Sequence, residues 1–231
     1  MLRCATVAVL ALGLMGLLCS CHRNEVGGRE IRYAAWKGDL ARVQVLLKEN
    51  PGLISSDDKT GETTLHWAAN GGHKDVVDLL LADGARPDAR DDSGYTPLHT
   101  AAYNGRRDVA ELLLAHGAKL DAMSRNGGTP LYWAACAGST DVADLLLSNK
   151  AHIEARDSSG FTPLTCAASN GNREVAVLLL AHGANVNARS NRGSTPLHWA
   201  TAKDHEDVAE LLRQHGGLDL EEARSPSDRW W

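Results

Sequence analysis

A block of ten residues recurs at a spacing of 33 positions along most of this 231-residue chain. Clear copies, which read TPLHTAAYNG or a close variant of it, begin at Thr63, Thr96, Thr129, Thr162 and Thr195. A more divergent copy begins at Ile31, so six copies run from about residue 30 to residue 217. A repeat of this length predicts small units that cannot bury an apolar face alone and that bury it by stacking.

Each copy predicts two short helices followed by a turn. Thr before Pro suits the start of the first helix, because Pro in the opening turn removes no amide that needs a partner. Paired alanines follow and allow neighbouring units to approach closely. Glycines at 72, 105, 138 and 171 are predicted to end the first helices, and those at 84, 117 and 183 the second. The run ARPDARDDSGYT, with Asp and Gly at its turn, predicts a hairpin-like connection.

The T-P-L-H-x-A block with a 33-residue period resembles the ankyrin repeat, and this resemblance extends over about four-fifths of the chain. It implies an all-α fold, a solenoid of stacked helix-turn-helix units with β-hairpin-like connecting loops. The implied units are about 30–62, 63–95, 96–128, 129–161, 162–194 and 195–217, with a tail at 218–231. The resemblance also implies that the chain binds other proteins and is not an enzyme.

The terminal copies are atypical in the way that stacking requires. An outermost unit has no neighbour on one side, so that side has to be polar. The position held by leucine in the middle copies becomes Arg213 in the last copy, and the helix-ending glycine becomes Asp204. In the first copy, Arg32 replaces the usual histidine. We therefore expect the array to be closed at both ends.

The N-terminus differs from the rest of the chain. Residues 4–18 are uncharged and mostly apolar. They are too few for a membrane span of roughly 20 residues but fit the apolar region of a secretory signal. The boundary LCSC resembles a bacterial lipobox, which implies a signal peptide at 1–20, a lipid-modified Cys21 and a tether at 21–29. Cleavage without lipid and an uncleaved anchor remain open. His22 after the cysteine implies a periplasm-facing, outer-membrane lipoprotein.

Composition and motifs argue against several classes of protein function. A net charge of −5 argues against a general nucleic-acid binder, which would show a basic patch. Histidines of the TPLH block are expected, by resemblance, to form hydrogen bonds between adjacent units, and the repeat scatters the histidines along the stack. The chain has no G-x-S-x-G motif and no phosphate-binding glycine loop. The predictions are no catalytic residue, no cofactor and no metal.

Two cysteines remain in the repeat array. Cys166 shares the position of Trp67, Trp133 and Trp199, which we predict to lie in the core. Cys136 shares the position of Tyr103, which the family exposes. Because these positions differ, we expect two free thiols and no disulfide.

Ankyrin proteins bind partners on a concave side, formed by the loop tips and the exposed part of each first helix. Transferred position by position, the predicted partner-binding residues are Trp36, Asn70, Tyr95, Tyr103, Asn104, Arg125, Asn126, Phe161, Ser169, Asn170 and Lys203. The tip positions also include Glu62. Four of the predicted residues are large aromatics that packing within one unit does not require, so their truncation is expected to leave the fold intact. Aromatics and Arg often anchor interfaces, but these side chains could equally cover neighbouring loops.

The sequence thus predicts a protein-interaction scaffold, a monomer displayed in the bacterial cell envelope, with an unidentified protein partner and no nucleic acid. The alternative is a membrane-anchored or secreted effector that acts on a host or cytoplasmic protein. An enzyme would require polar side chains that converge in one pocket.

Overall fold

The computed structural model describes residues 26–219, and this part of the chain is all-helical. Residues 26–37 form helix α1. The other helices are α2 Leu40–Glu49, α3 Thr64–Gly71, α4 Lys74–Ala82, α5 Pro97–Tyr103, α6 Arg107–Ala115, α7 Pro130–Ala137, α8 Thr140–Ser148, α9 Pro163–Ser169, α10 Arg173–Ala181, α11 Pro196–Ala202 and α12 Glu206–Gln214. A 3₁₀ turn covers Pro51–Ser55. The predicted signal peptide, most of the tether with Cys21, and most of the tail lie outside the described residues.

The helices form two layers. In the inner layer α3, α5, α7, α9 and α11 each contact the next, and in the outer layer α4, α6, α8, α10 and α12 do the same. Within the described part the only strand-like pairing is an isolated bridge between Asp57 and Thr63. The predicted all-α solenoid with hairpin-like loops is therefore confirmed.

A leucine repeated every 33 residues forms the centre of the core. Leu80, Leu113, Leu146, Leu179 and Leu212 on the outer helices are each fully buried. The paired alanines at 101–102 on α5 are also fully buried, which lets the inner helices approach closely. Arg213, at the polar end of the stack, is exposed and forms an ion pair with Glu206 at 2.6 Å. The predicted inside and outside positions are confirmed here.

Helix ends follow the predicted chemistry. The Thr129 hydroxyl accepts a hydrogen bond from the amide of Tyr132 at 3.3 Å, as an N-cap does. Gly138 ends α7 with φ 75°, and Asp204 adopts a similar φ of 59° where the other copies have glycine. Lys150 also has a positive φ, 68°, at a position held by glycine elsewhere, and the sequence analysis missed it. Asp tolerates this region better than Lys does.

Successive connecting loops are joined by one backbone hydrogen bond each. The amide of Arg125 donates to the carbonyl of Ser93 at 2.8 Å, and the same link joins Asp92 to Thr60, Ser158 to Asn126 and Asn191 to Ser159. The loops therefore form a regular row beside the inner helices.

Two buried histidines tie an inner helix to the end of the loop that leads into the next inner helix. The Nδ1 atom of His99 accepts from the amide of Thr96 at 3.0 Å, so Nε2 carries the proton and donates to the carbonyl of Gly128 at 3.1 Å. His66 makes the equivalent bond to the carbonyl of Tyr95 at 3.1 Å. Burial lowers the pKa of His66 and brings that of His99 down to about 4. Both side chains are therefore neutral groups that hold the scaffold together.

The expectation of two free thiols is wrong, because Cys136 and Cys166 form a disulfide with their Cα atoms 5.0 Å apart. The sequence argument compared positions within one unit. Cys136 lies on α7 and Cys166 on α9, and these neighbouring inner helices pack closely through their alanines. A site that is outward-facing in one unit can therefore reach an inward-facing site in the next.

Candidate protein-interaction surface

The exposed residues of the inner helices and of the connecting loops form one surface, here called the inner-helix face. The structure places all eleven predicted partner-binding residues on the elements that make up this face, with different exposure. Trp36 is 38% exposed and Tyr103 is 54% exposed. Asn104, Arg125, Asn170 and Lys203 are exposed, whereas Asn70, Tyr95, Asn126, Phe161 and Ser169 are half-buried.

Tyr95, just before α5, packs against α7, and Phe161, just before α9, packs against α11. The Tyr95 ring lies edge-on to Trp133 with their centroids 5.2 Å apart. The Phe161 ring lies 5.1 Å from Trp199 in the same way. The alternative that such aromatics cover a neighbour was the correct one for this pair. Truncating either ring would therefore disturb a junction between units.

The tryptophan stripe is not in the core as predicted. Trp67, Trp133 and Trp199 are all half-buried, and Trp133 contacts the exposed ring of Tyr103 at a centroid distance of 6.0 Å. One signal in the sequence indicated this. The position is Thr or Cys in two other copies, whereas the leucine positions that form the core hardly vary.

The three indoles differ in their hydrogen bonding. Trp67 Nε1 donates to the carboxylate of Asp58 at 3.2 Å. The residues equivalent to Asp58 in the units of Trp133 and Trp199 are serines, and both indole N–H groups are buried without a hydrogen-bond partner among the described residues. The serine side chain is too short to replace the carboxylate.

The aromatic side chains surround a groove of about 310 Å³ in the inner-helix face. It is lined by Glu62, Asn70, Tyr95, His99, Thr100, Tyr103, Asn104 and Trp133. Four of the eleven predicted residues therefore come together here. The sequence analysis placed Glu62 at a loop tip, but it missed Trp133 as part of the surface.

The groove is acidic at one side. Burial raises the pKa of Glu62, and the carboxylates of Asp58 and Asp91 raise it further. Within residues 26–219, no cationic side chain forms an ion pair with Glu62. The carboxylates of Asp58 and Asp91 are occupied in holding their turns, since each accepts two backbone amides from its own loop.

A second aromatic group lies at the N-terminal end of the stack. The rings of Tyr33 and Trp36 are 6.0 Å apart, and the ammonium of Lys37 lies 4.9 Å from the Trp36 centroid. Tyr33 is 57% exposed, and the sequence analysis did not select it. Beside it, Arg32 donates from Nη1 to the carbonyl of Asp57 at 2.6 Å. This arginine thus links α1 to the loop that follows α2.

The remaining predicted residues are separate from the groove, and two of them have structural roles. The Asn126 carboxamide accepts from the Ser124 hydroxyl at 2.5 Å and holds a turn. Asn170 donates to the carbonyl of Cys166 at 2.9 Å near the end of α9. Ser169 and Lys203 lie further along the stack, at the ends of α9 and α11. These four residues thus lie on the inner-helix face outside the groove.

Two further features of residues 26–219 bear on the function. No group of three or more His, Cys, Asp or Glu side chains is placed to hold a metal ion. No helix among these residues has the length and apolar character needed to cross a membrane.

Comparison with known families gives a match over most of the chain. The family model described as "Ankyrin repeats (3 copies)" matches four overlapping spans, residues 31–124, 91–157, 118–190 and 153–223. Together the spans include every helix from α2 to α12.

Curated relatives are similar over shorter stretches. Osteoclast-stimulating factor 1 of Xenopus laevis is 47% identical over 49 residues, which are 21% of this chain and 22% of the relative. Ankyrin repeat domain-containing protein 39 of Homo sapiens is 44% identical over 64 residues, 27% of this chain and 33% of the relative. The 2-5A-dependent ribonuclease of Mus musculus is 44% identical over 57 residues, 25% of this chain but 8% of the relative. The chain thus spans a third or less of the length of these relatives.

Proposed function

This chain belongs to the ankyrin-repeat family, and from that premise we propose that it is a non-enzymatic scaffold of the bacterial cell envelope that binds a partner protein on its concave, inner-helix face. Ankyrin repeats form protein-interaction scaffolds. The ribonuclease activity named for one relative belongs to a protein of which this chain matches 8%. The envelope location and the binding face are the parts of the proposal that need experiments.

The groove around Trp133 is the observation that carries the binding face. Exposed aromatic side chains beside polar groups are typical of interface anchors, because they bury much apolar area at little cost in conformational entropy. Tyr103 leaves 54% of its surface exposed although it contacts Trp133. The repeat does not require an aromatic here, since the equivalent positions are Asn70, Cys136 and Ser169.

The disulfide supports a location outside the cytoplasm. Disulfides persist in oxidising compartments such as the bacterial periplasm and are rare in the cytosol. The bond between Cys136 and Cys166 is consistent with the secretory signal expected at residues 1–20. It also favours a secreted form over a cytoplasm-facing one within the alternative effector function. The proposed anchor at Cys21 makes the envelope the more specific proposal.

Partner capture tests the binding face. Envelope extract would be applied to the wild type and to a Trp36→Ala/Tyr103→Ala variant, and the affinity for the captured protein would then be measured. We expect at least a tenfold loss of affinity, or ~1–4 kcal/mol. A Val45→Ala/Val177→Ala variant truncates exposed apolar side chains of α2 and of the outer helix α10 and should bind normally. Equal binding by all three proteins, with equal thermal stability, would show that the face is wrong.

Lipid labelling tests the anchor. In cells given a palmitate analogue, the wild type should be labelled, and Cys21→Ser should remain as an unlabelled precursor. A mature-length wild type without label would establish cleavage without lipid. Label on both proteins would contradict the assignment of Cys21.

A further inference from the structure

We propose that the groove between Glu62 and Trp133 receives an arginine side chain of the partner protein. This inference rests on the proposed function, because it assumes that the inner-helix face binds a protein. It goes further by naming the chemistry that the groove recognises.

The aromatic walls suit a cation. Tyr95 and Tyr103 both stand edge-on to Trp133, with interplanar angles of 80° and 69°. All three rings line the groove. The negative face of an aromatic ring attracts a guanidinium, and partial exclusion of water strengthens this attraction.

The carboxylate of Glu62 supplies the complementary charge. It is half-buried at the groove without a cationic partner among the described residues, and the nearby carboxylates of Asp58 and Asp91 oppose its ionisation. Two arginines of these units, Arg90 and Arg106, donate to backbone carbonyls. Arg90 donates to the carbonyl of Met123, and Arg106 donates from Nε to the carbonyl of Asn70 at 3.1 Å. A cation from a partner would therefore relieve a charge that the chain leaves uncompensated.

The polar groups around the groove favour arginine over lysine. Asn104 donates its amide nitrogen to the carbonyl of Thr100 at 2.9 Å, which leaves its oxygen as an acceptor beside Tyr103. Together with Glu62, this provides acceptors at separate points of the lining. Arginine has five donors on a planar group that stacks on aromatic rings, whereas lysine has a compact and strongly hydrated ammonium. An apolar side chain would leave the acceptors and the carboxylate without partners.

A small arginine derivative tests the groove without the partner. N-acetyl-arginine amide would be titrated into uniformly ¹⁵N-labelled protein, with the indole N–H signal of Trp133 as the probe, assigned through Trp133→Phe. We expect a saturable shift with half-saturation below roughly 50 mM, since single cation–π and ion-pair contacts are weak. N-acetyl-citrulline amide, which has the same shape without charge, should cause no saturable shift. The same must hold for sodium chloride at equal ionic strength.

Variants then locate the charge. Glu62→Gln should weaken binding of the arginine derivative by about threefold or more, whereas Glu111→Gln on the outer face of α6 should leave its binding unchanged. Saturating ligand should also lower the pKa of Glu62, followed by its side-chain carboxyl signal. An equal shift with citrulline, or unchanged binding by Glu62→Gln, would overturn the inference.

The two proposals can fail separately. If the partner is captured through Trp36 and Tyr103 but the arginine derivative does not bind, only the arginine inference is wrong. If the derivative binds but the captured partner ignores the inner-helix face, the groove is a cation site and the proposed binding face is wrong.

Discussion

The first and second halves of the stack are joined by different polar groups. Between α3 and α7, His66 and His99 each donate to the backbone carbonyl just before the N-cap of the next inner helix, at Tyr95 and Gly128. The same sequence position holds Tyr132 on α7, Thr165 on α9 and His198 on α11. The Tyr132 hydroxyl donates to the carboxylate of Asp157 at 3.3 Å, and Thr165 bonds within its own unit. A disulfide joins α7 to α9 in this second half.

This difference shows which features the fold requires. The leucine core and the alanine contacts are the same in both halves, so they define the stack. The position of His66 and its equivalents carries a buried donor that needs an acceptor. A histidine, a tyrosine or a threonine can meet this requirement. The two halves should therefore share their response to core mutations and differ in their response to pH and to reduction.

Matched core truncations test whether the halves share one core. Leu113 on α6 and Leu179 on α10 are equivalent and fully buried. Each change to alanine should lower the free energy of unfolding by roughly 2–5 kcal/mol, from lost burial and a residual cavity. Arg213→Ala is the control, because its side chain is exposed and its ion pairs are worth little. A loss below about 1 kcal/mol at only one leucine, measured by denaturant titration, would show that the cores differ.

Removal of the disulfide should affect the second half. A Cys136→Ala/Cys166→Ala variant should be less stable by roughly 2–4 kcal/mol, as expected when a loop of this size is no longer closed. Hydrogen exchange would locate the loss, which should centre on α7 to α10. A reductant should destabilise the wild type in the same way and leave the variant unchanged. Equal loss of protection in α3 to α6 would contradict a bond that acts locally.

Acid should act on the first half. Burial lowers the pKa of His99 from its ordinary 6.5 to about 4, so between these values the unfolded chain binds a proton that the folded chain does not. Stability should therefore fall as the pH drops from about 6.5 to 4, by up to roughly 3 kcal/mol for this residue. His99→Gln keeps a donor near the carbonyl of Gly128 but cannot titrate.

Denaturant titrations of the wild type and of His99→Gln would be measured at pH 7, 5 and 4. The wild type and His99→Gln should converge in stability as the pH falls, because only the wild type loses the contribution of His99. Parallel profiles would mean that the histidine is not neutral in the folded state. Tyr132 should contribute nothing between pH 7 and pH 4. Burial and the Asp157 carboxylate raise its pKa above the ordinary value of 10.0, which is already far from this range.

The sequence predicted the buried and exposed positions that recur in each repeat. It did not predict the contacts that form between units. Leu113 inside and Arg213 outside follow from one repeat read alone, because their environment recurs in each copy. The disulfide depends on which side chain stands at a neighbouring position in the next unit. A comparison within one register cannot show such contacts. The lining of the groove also comes from four consecutive units, so its shape could not be derived from the list of variable positions.

The smallest expected effect concerns the unpaired indoles, which occur in both halves. Asp58 accepts from the amides of Thr60 and Glu62 and from Trp67 Nε1. Ser124 replaces this aspartate in the unit of Trp133 and leaves the indole N–H buried and unpaired. Ser124→Asp should supply the missing acceptor and raise stability at pH 7 by about 1 kcal/mol.

The gain should depend on the tryptophan and on pH. In a double-mutant cycle with Trp133→Phe, most of the gain should disappear, since the added carboxylate would then have no indole to bind. The hydrogen bonds to Asp58 lower its pKa although burial opposes them. An aspartate at 124 should behave alike, so its contribution is present above pH 4 and is lost as the pH falls further. Ser190→Asp should give the same gain beside Trp199 in the second half. If only one of the two serine changes raises the stability, the effect of the added carboxylate depends on the neighbouring contacts between units. The two halves would then differ in more than the polar groups that join them.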